Sequence, residues 1–253
     1  MDPVAAGGFA AASPTYARIR PAYARGAIGL VKESCPRDGH VVDLAAGTGI
    51  LTGQVARAGL RVTAVEPLPS MVDHLRRALP AVPAVLATAE SLPFTSAVAD
   101  VITVGQGFHW FAADAALDEA ARILRPGGFL ALMWNVRDES VPWVAELTQL
   151  VESRTDGRPY SDHRELDWVD VVAGSGHFGE VRTESFANPV ATTVTGVIDR
   201  VRSTSFVAVL DENRRAALLA DVADLLAGHD ELRGTFEYPH DTVVHLCPLR
   251  ATA

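Results

Sequence analysis

Two acidic residues and two glycines are spaced as a nucleoside site in an α/β protein requires. The run from Val41 to Thr52 predicts a strand carrying Asp43, the loop Ala45–Gly49 and the start of a helix. Glycines allow the backbone to approach a ligand closely, and the first turn of a helix offers unpaired N–H groups. Glu66 ends the next predicted strand, close to the interval of roughly 20 residues typical of an acid that binds ribose hydroxyls. The spacing therefore indicates a nucleoside ligand.

The residues around the loop argue against a dinucleotide. A dinucleotide site needs a third small residue so that the helix can pack tightly and face a pyrophosphate, and Thr52 occupies that position. The loop has no basic side chain, and the carboxylate of Asp43 would repel a pyrophosphate. The same carboxylate suits a ligand that carries an ammonium and a sulfonium. These features disfavour a nicotinamide-dependent oxidoreductase.

The segment from His40 to Val136 must supply the framework that positions these residues. Short β-rich runs alternate there with helix-compatible stretches over Leu51–Ala58, Ser70–Leu79 and Asp114–Leu124. This alternation is typical of βαβ units that build a parallel sheet, whose inner strands are continuously apolar because both faces are covered. We expect ligands beyond the carboxyl ends of the strands, where the strand order reverses.

These motifs resemble the class I methyltransferases, especially the small-molecule branch with a type 11 methyltransferase domain. The resemblance is strong from Phe9 to Val136, includes the segment Thr88–Phe94 and the run Arg122–Gly128, and is looser in the C-terminal half. It implies S-adenosylmethionine as cofactor. It also implies an α/β, Rossmann-like fold with a seven-stranded, mostly parallel sheet whose last strand pair is antiparallel, with helices on both faces and an added helical cap.

The resemblance assigns cofactor-binding roles residue by residue. The glycine loop lies along the methionine part in that family, an acid binds the ribose, and a later segment contacts the adenine. The cofactor-binding residues implied are Tyr16, Arg20, Asp43, Ala45, Gly47, Thr48, Gly49, Glu66, Pro67, Met71, Thr88, Ala89, Glu90 and Gln106.

Two positions depart from the family pattern. Ala45 replaces the first glycine of the loop, which is tolerable only if this residue keeps a negative φ. The acid that binds the adenine amino group usually stands where this chain has Thr88. Either the hydroxyl of Thr88 or the carboxylate of Glu90 must replace it, and we favour Glu90.

The predicted end of the fourth strand carries the candidate catalytic residue. The family places residues beside the transferring methyl group there, and His109 is the candidate general base for a hydroxyl acceptor. A packed or cofactor-contacting histidine is an equally weighted alternative. A carboxylate acceptor needs no base but requires an arginine. The predicted substrate pocket consists of Phe108, Trp110, Trp134 and Asn135, and no metal site is predicted.

The flanking regions are expected to cover this core within a single domain of residues 1–253. Residues 1–39 form a helical lid in which Tyr16, Arg20 and Tyr23 close over the cofactor, and 40–136 form the cofactor-binding core. Residues 137–180 and 187–234 form cap segments, with one long helical stretch over Gly196–Ala227. A final strand lies in 235–253, with a bend at Pro239.

The amino-acid composition limits the kinds of partner that we expect this protein to bind. A net charge of −9 and a single lysine, Lys32, disfavour nucleic acid. Neither a membrane span nor a cysteine framework is evident, so we expect a soluble, cytoplasmic monomer or homodimer. The favoured function is methylation of a small molecule at a hydroxyl or carboxylate oxygen. The alternative is a protein that binds S-adenosylmethionine on the same fold without methylating, as a cyclase or a regulatory subunit.

Overall fold

The computed structural model describes residues 20–155 and 167–251. Its strands are β1 (His40–Leu44), β2 (Arg61–Glu66), β3 (Ala84–Leu86), β4 (Ala99–Gly105), β5 (Leu124–Arg137), β6 (Arg182–Ala187), β7 (Val190–Thr192), β8 (Phe236–Tyr238) and β9 (His240–Pro248). Its α-helices are α1 (Arg25–Ser34), α2 (Ile50–Arg57), α3 (Pro69–Ala78), α4 (Ala113–Ile123), α5 (Pro142–Arg154), α6 (Trp168–Gly174), α7 (Val194–Arg202), α8 (Ser205–Ala208) and α9 (Glu212–Ala227).

Seven strands form one sheet in the order β3-β2-β1-β4-β5-β9-β6. Strands β1 to β5 are parallel, whereas β9 runs antiparallel to both of its neighbours, β5 and β6. The predicted Rossmann-like fold is confirmed. The strand order reverses at β1, whose neighbours are β2 and β4, so this point is where such sheets bind ligands.

Alternate residues of each inner strand enter separate hydrophobic clusters on the two faces of the sheet. Val42 and Ile102 pack with the buried faces of α4 and α6, while Val41 and Val101 pack with α1 and α2. This arrangement explains why the inner strands are apolar at every position rather than at every second one.

The helical stretch predicted over Gly196–Ala227 is present as three helices, α7, α8 and α9, and not as one. Helix α7 ends where the hydroxyls of Ser203 and Thr204 donate to the carbonyls of Arg200 and Val201, at 2.8 and 2.6 Å. Such bonds end a helix by satisfying its last carbonyls. Helices α5, α7 and α9 share a third hydrophobic cluster that includes Tyr238. None of the described helices is both long and apolar enough to cross a membrane.

The predicted strand over Thr235–Leu246 is also two elements. Pro239 separates β8 from β9, and β8 leaves the large sheet to pair with β7, a short strand that was not predicted. Proline cannot donate to a sheet ladder, so the chain changes partners at this residue.

The buried amide of Asn135 helps to attach the segment that precedes α1 to the sheet. Its Nδ2 donates to the carbonyls of Pro21 and Ala22, both at 3.2 Å. Its Oδ1 accepts from Thr242 Oγ1 at 2.6 Å and from Asn188 Nδ2 at 3.1 Å. Asn135 therefore links β5, β9 and the leading segment with all of its hydrogen-bonding capacity.

We expect Asn135→Ala to lower the free energy of unfolding by about 2–3 kcal/mol, because several buried polar groups lose their partner. Urea denaturation measures this change. The exposed residue Asn213 on α9 offers a matched control, and Asn213→Ala should change stability by less than about 0.5 kcal/mol. Equal stability of the two variants would contradict the anchoring role of Asn135.

Candidate functional site

A cavity that is partly open to solvent lies at the carboxyl ends of β1, β2, β4 and β5. It runs along the sheet edge from Glu66 on β2 to Asn135 on β5. Loops after the strands and the segment before α1 form its walls. The lining residues are Arg20, Pro21, Tyr23, Asp43, Ala45, Ala46, Gly47, Thr48, Ile50, Leu51, Glu66, Leu68, Met71, Gly105, Gln106, Gly107, Trp110 and Asn135.

Glu66 shapes the end of the cavity near β2. Its side chain is buried, and its two oxygens accept hydrogen bonds from the backbone N–H groups of Gly47 and Leu68 at 2.9 and 3.0 Å. Burial raises the pKa of Glu66, and these two donors counteract part of that rise. Each carboxylate oxygen has two lone pairs, so one on each oxygen is still available to ligand hydroxyls.

Two glycines bring the backbone to the cavity. Gly47 has a φ of +56°, and a Cβ built there would have only the carbonyl oxygen of Ala45 nearby, at 4.0 Å. A side chain at this position would therefore project into space that a ligand can use. At Gly105 a Cβ would lie 2.3 Å from the Tyr23 hydroxyl, so only glycine lets the end of β4 approach the leading segment this closely.

Asp43 lies beneath the glycine loop and is 1% exposed. Thr52 Oγ1 and Thr103 Oγ1 donate to its two oxygens at 2.5 and 2.7 Å. Burial raises the pKa of Asp43 to about 6, although the two hydroxyls act to lower it. The threonine that argued against a dinucleotide thus has a second role, because it ties α2 to β1 through this carboxylate.

Two residues of the cavity wall other than glycine have left-handed backbones. Ala45 has a φ of 51°, so the expectation of a negative φ is wrong, and Gln106 has a φ of 58°. The turn is fixed by hydrogen bonds from Ala46 N to the Val65 carbonyl and from Gly49 N to the Ala46 carbonyl, at 3.1 and 2.9 Å. Holding an alanine in this region costs about 1–2 kcal/mol, which indicates that the loop is stabilised by its surroundings.

The structure brings many of the predicted site residues together but not all of them. Those in the wall are Arg20, Asp43, Ala45, Gly47, Thr48, Glu66, Met71, Gln106, Trp110 and Asn135. Those outside it are Gly49, Pro67, Thr88, Ala89, Glu90, Phe108, His109 and Trp134, and Tyr16 lies outside the described residues. The Glu90 carboxylate accepts from the backbone N–H of Ala112 at 3.0 Å.

The aromatic residues after β4 and in β5 divide between wall and core. Phe108 and Trp134 are each 2% exposed, and both rings pack against Trp168 of α6. The Phe108 ring meets it edge to face, with centroids 5.4 Å apart, and the Trp134 ring stacks on it, with centroids 6.3 Å apart. Trp110 lines the cavity, and the ring of His109 packs against it at 4.6 Å between centroids. The imidazole of His109 itself does not line the cavity in this structure.

Sequence reasoning missed several apolar wall residues. Ile50, Leu51 and Leu68 line the cavity, as do Gly105 and Gly107. Leu68 could have been predicted from its position. It lies two residues after Glu66, in the turn after β2, where a backbone N–H can donate to the carboxylate that ends the strand.

Comparisons with known proteins decide the family. The profile of a family described as "Methyltransferase domain" matches residues 42–132. An uncharacterised methyltransferase of Mycobacterium tuberculosis is 38% identical over 224 residues, covering 88% of this chain and 87% of the relative. The chain belongs to the class I methyltransferases. A methyltransferase-like protein of Schizosaccharomyces pombe is 29% identical over 214 residues, covering 83% of this methyltransferase and 82% of the relative.

The fold of the methyltransferase is found again among solved structures. A putative type II methyltransferase from Anaeromyxobacter dehalogenans superimposes with a TM-score of 0.64 at 23% sequence identity. The match covers 91% of this chain and 96% of the other.

S-adenosylmethionine is the methyl donor of this class and the cofactor of this enzyme. The residues of the cavity fit it. The buried Glu66 carboxylate keeps lone pairs for vicinal hydroxyls, and Gly47 leaves open space beside it. The nearby Asp43 carboxylate suits the positive charges of the methionine part.

We expect Glu66→Gln to weaken S-adenosylhomocysteine binding by about 10- to 100-fold, because the amide nitrogen cannot accept a hydrogen bond from Gly47 or Leu68. Isothermal titration calorimetry measures the dissociation constant. Asp73→Asn on the exposed side of α3 is the control and should bind like wild type. A Glu66→Gln dissociation constant within threefold of wild type would remove Glu66 from the cofactor site.

The raised pKa of Asp43 predicts an unusual pH dependence of stability. Because its pKa of about 6 in the folded protein exceeds the ordinary 3.8, the folded state takes up a proton between these pH values, and this group stabilises the protein as pH falls. An asparagine at position 43 has no carboxylate that could take up this proton. From pH 7.5 to 4.5, wild type should gain about 2 kcal/mol relative to Asp43→Asn in urea unfolding. A constant or opposite difference would exclude the raised pKa.

Proposed function

We propose that this methyltransferase transfers the methyl group to an oxygen atom of a small molecule, either a hydroxyl or a carboxylate. The cavity is a concave site with mostly apolar walls and a few polar groups, which is typical of small-molecule sites. The net charge of −9 makes a polyanionic macromolecule an unfavourable partner.

The observation that carries this proposal is the charge asymmetry along the cavity. The carboxylates of the wall, Asp43 and Glu66, lie at the ends of β1 and β2. At the β4–β5 end, the described wall residues offer Arg20, Gln106 and Asn135 and no carboxylate. The cofactor's positive groups are thus favoured at the first end. A neutral or negatively charged acceptor is favoured at the second.

The protein's own contribution to the reaction is mainly positioning. The cofactor, when bound, supplies an electrophilic methyl group on a positively charged sulfur. Gln106 and Trp110 bound the β4–β5 end, where they orient an acceptor oxygen and exclude water. A carboxylate is nucleophilic at neutral pH without a base, whereas a hydroxyl needs one. His109 remains the candidate base for a hydroxyl, although its imidazole does not line the cavity in this structure.

Product chemistry tests the proposal. The purified enzyme is incubated with methyl-labelled S-adenosylmethionine and a low-molecular-mass metabolite extract, and the labelled products are separated by chromatography. We expect label in a small molecule, as a methyl ester that releases methanol in alkali or as an alkali-stable methyl ether. Label on nitrogen, sulfur or carbon, or label only in macromolecules, would overturn the proposal.

The variant His109→Ala, assayed with the acceptor identified in this way, distinguishes a hydroxyl acceptor from a carboxylate acceptor. For an ether product kcat should fall by about 100- to 10,000-fold, since the base is lost. For an ester product it should stay within about threefold of wild type. The control His177→Ala removes an imidazole that pairs with Asp118 at 2.7 Å, away from the cavity, and should leave kcat unchanged in both cases.

A further inference from the structure

Two arginines and one histidine lie beyond the β5 end of the cavity. Arg137 is two residues after Asn135 on β5, so both side chains face the same side of the sheet. His240 on β9 is the register partner of Arg137. Arg200 on α7 approaches from the cap, with its Cζ 5.2 Å from the ring centroid of Tyr238. The ring of His240 lies 4.3 Å from the same tyrosine ring, which places the three residues around one point.

The two guanidinium groups carry charge that none of the residues in 20–155 and 167–251 neutralises. Among the described residues, no carboxylate lies within ion-pair distance of Arg137 or Arg200, and Arg137 donates only to Thr148 Oγ1, at 3.3 Å. The pKa of Arg200 is lowered to about 9, mainly by burial and to a smaller extent by the positive charges of Arg137 and Arg20, while Tyr238 acts in the opposite direction. Partly desolvated charge of one sign is costly unless a ligand offsets it.

His240 adds an unsatisfied acceptor to the group. Its side chain is 2% exposed, and Nδ1 lies 2.9 Å from the Tyr238 carbonyl oxygen. Burial and the charge of Arg200 lower the pKa of His240 to about 3, so the ring is neutral. Nε2 is buried and has no hydrogen-bond partner among the described residues. The two guanidinium groups suit an oxyanion, whereas Nε2 of the neutral ring is an acceptor and would take a hydrogen bond from a hydroxyl group of the same ligand.

We propose that Arg137 and Arg200 bind an oxyanion group, carboxylate or phosphate, of the methyl acceptor. This inference rests on the proposed function and narrows it to anionic acceptors. Asn135, which lines the cavity, and Arg20, whose charge acts on Arg200, connect the site to the β4–β5 end of the cavity. Forked guanidinium groups suit carboxylate and phosphate geometry better than a lysine ammonium does.

Binding can be measured without turnover because Trp143 lies 4.9 Å from the Tyr238 ring and serves as a fluorescent reporter. The S-adenosylhomocysteine complex is titrated with succinate, with inorganic phosphate and with neutral succinamide. We expect a saturable response to succinate or to phosphate and none to succinamide. A response to succinate alone assigns a carboxylate, and a response to phosphate alone assigns a phosphate.

Arg200→Met keeps the aliphatic stem over Tyr238 and should weaken anion binding by about 10- to 100-fold. Arg200→Lys restores the charge and should recover part of the affinity. The control Arg202→Met, on the same helix, removes an exposed arginine that pairs with Asp199 at 2.7 Å and should bind like wild type. S-adenosylhomocysteine affinity, measured on each variant, verifies folding.

Two outcomes would overturn the inference. One is the absence of a saturable response to either anion in a wild-type complex that binds S-adenosylhomocysteine. The other is equal anion affinity in Arg200→Met and Arg202→Met. Neither outcome affects the proposed function, whose failure would be seen in the labelled product instead.

Discussion

A single carboxylate buried at the end of β1 determines how the cofactor side of this enzyme is arranged. Asp43 is inaccessible to water, so its oxygens must be hydrogen-bonded within the protein, and Thr52 and Thr103 satisfy them. One hydroxyl belongs to α2 and the other to β4. The carboxylate therefore fixes the helix and the neighbouring strand relative to β1, and the strained loop between β1 and α2 has both of its ends held in place.

On the other side of the cavity, amide side chains hold the segment before α1 in place. Gln54 exchanges two hydrogen bonds with the backbone of Tyr23, at 2.8 and 2.7 Å. Asn188 donates to the Ala22 carbonyl at 2.8 Å, and Asn135 binds the same carbonyl. This wall of the cavity is thus held in place through hydrogen bonds to its backbone.

Features encoded locally were predictable from the sequence, whereas features produced by distant pairing were not. The strands, the glycine loop and Glu66 follow from short-range periodicity and spacing, and the cofactor was implied by the resemblance of these motifs to a methyltransferase family. The inward packing of Phe108 and Trp134 depends on Trp168, which lies far along the chain. The positive φ of Ala45 and the breaks in the cap depend on hydrogen bonds that a pattern of residue types does not show.

The insertion of β9 between β5 and β6 has a consequence for the order in which the molecule is assembled. Thr242 and His240 lie on β9 and pair with residues of β5 that are more than a hundred positions earlier in the chain. The hydrogen bond between Thr242 and Asn135 is one example. Contacts of such high sequence separation form late, since a long loop must close before they contribute. The part of the sheet that carries the glycine loop and Glu66 can therefore form first, and β9 joins it last.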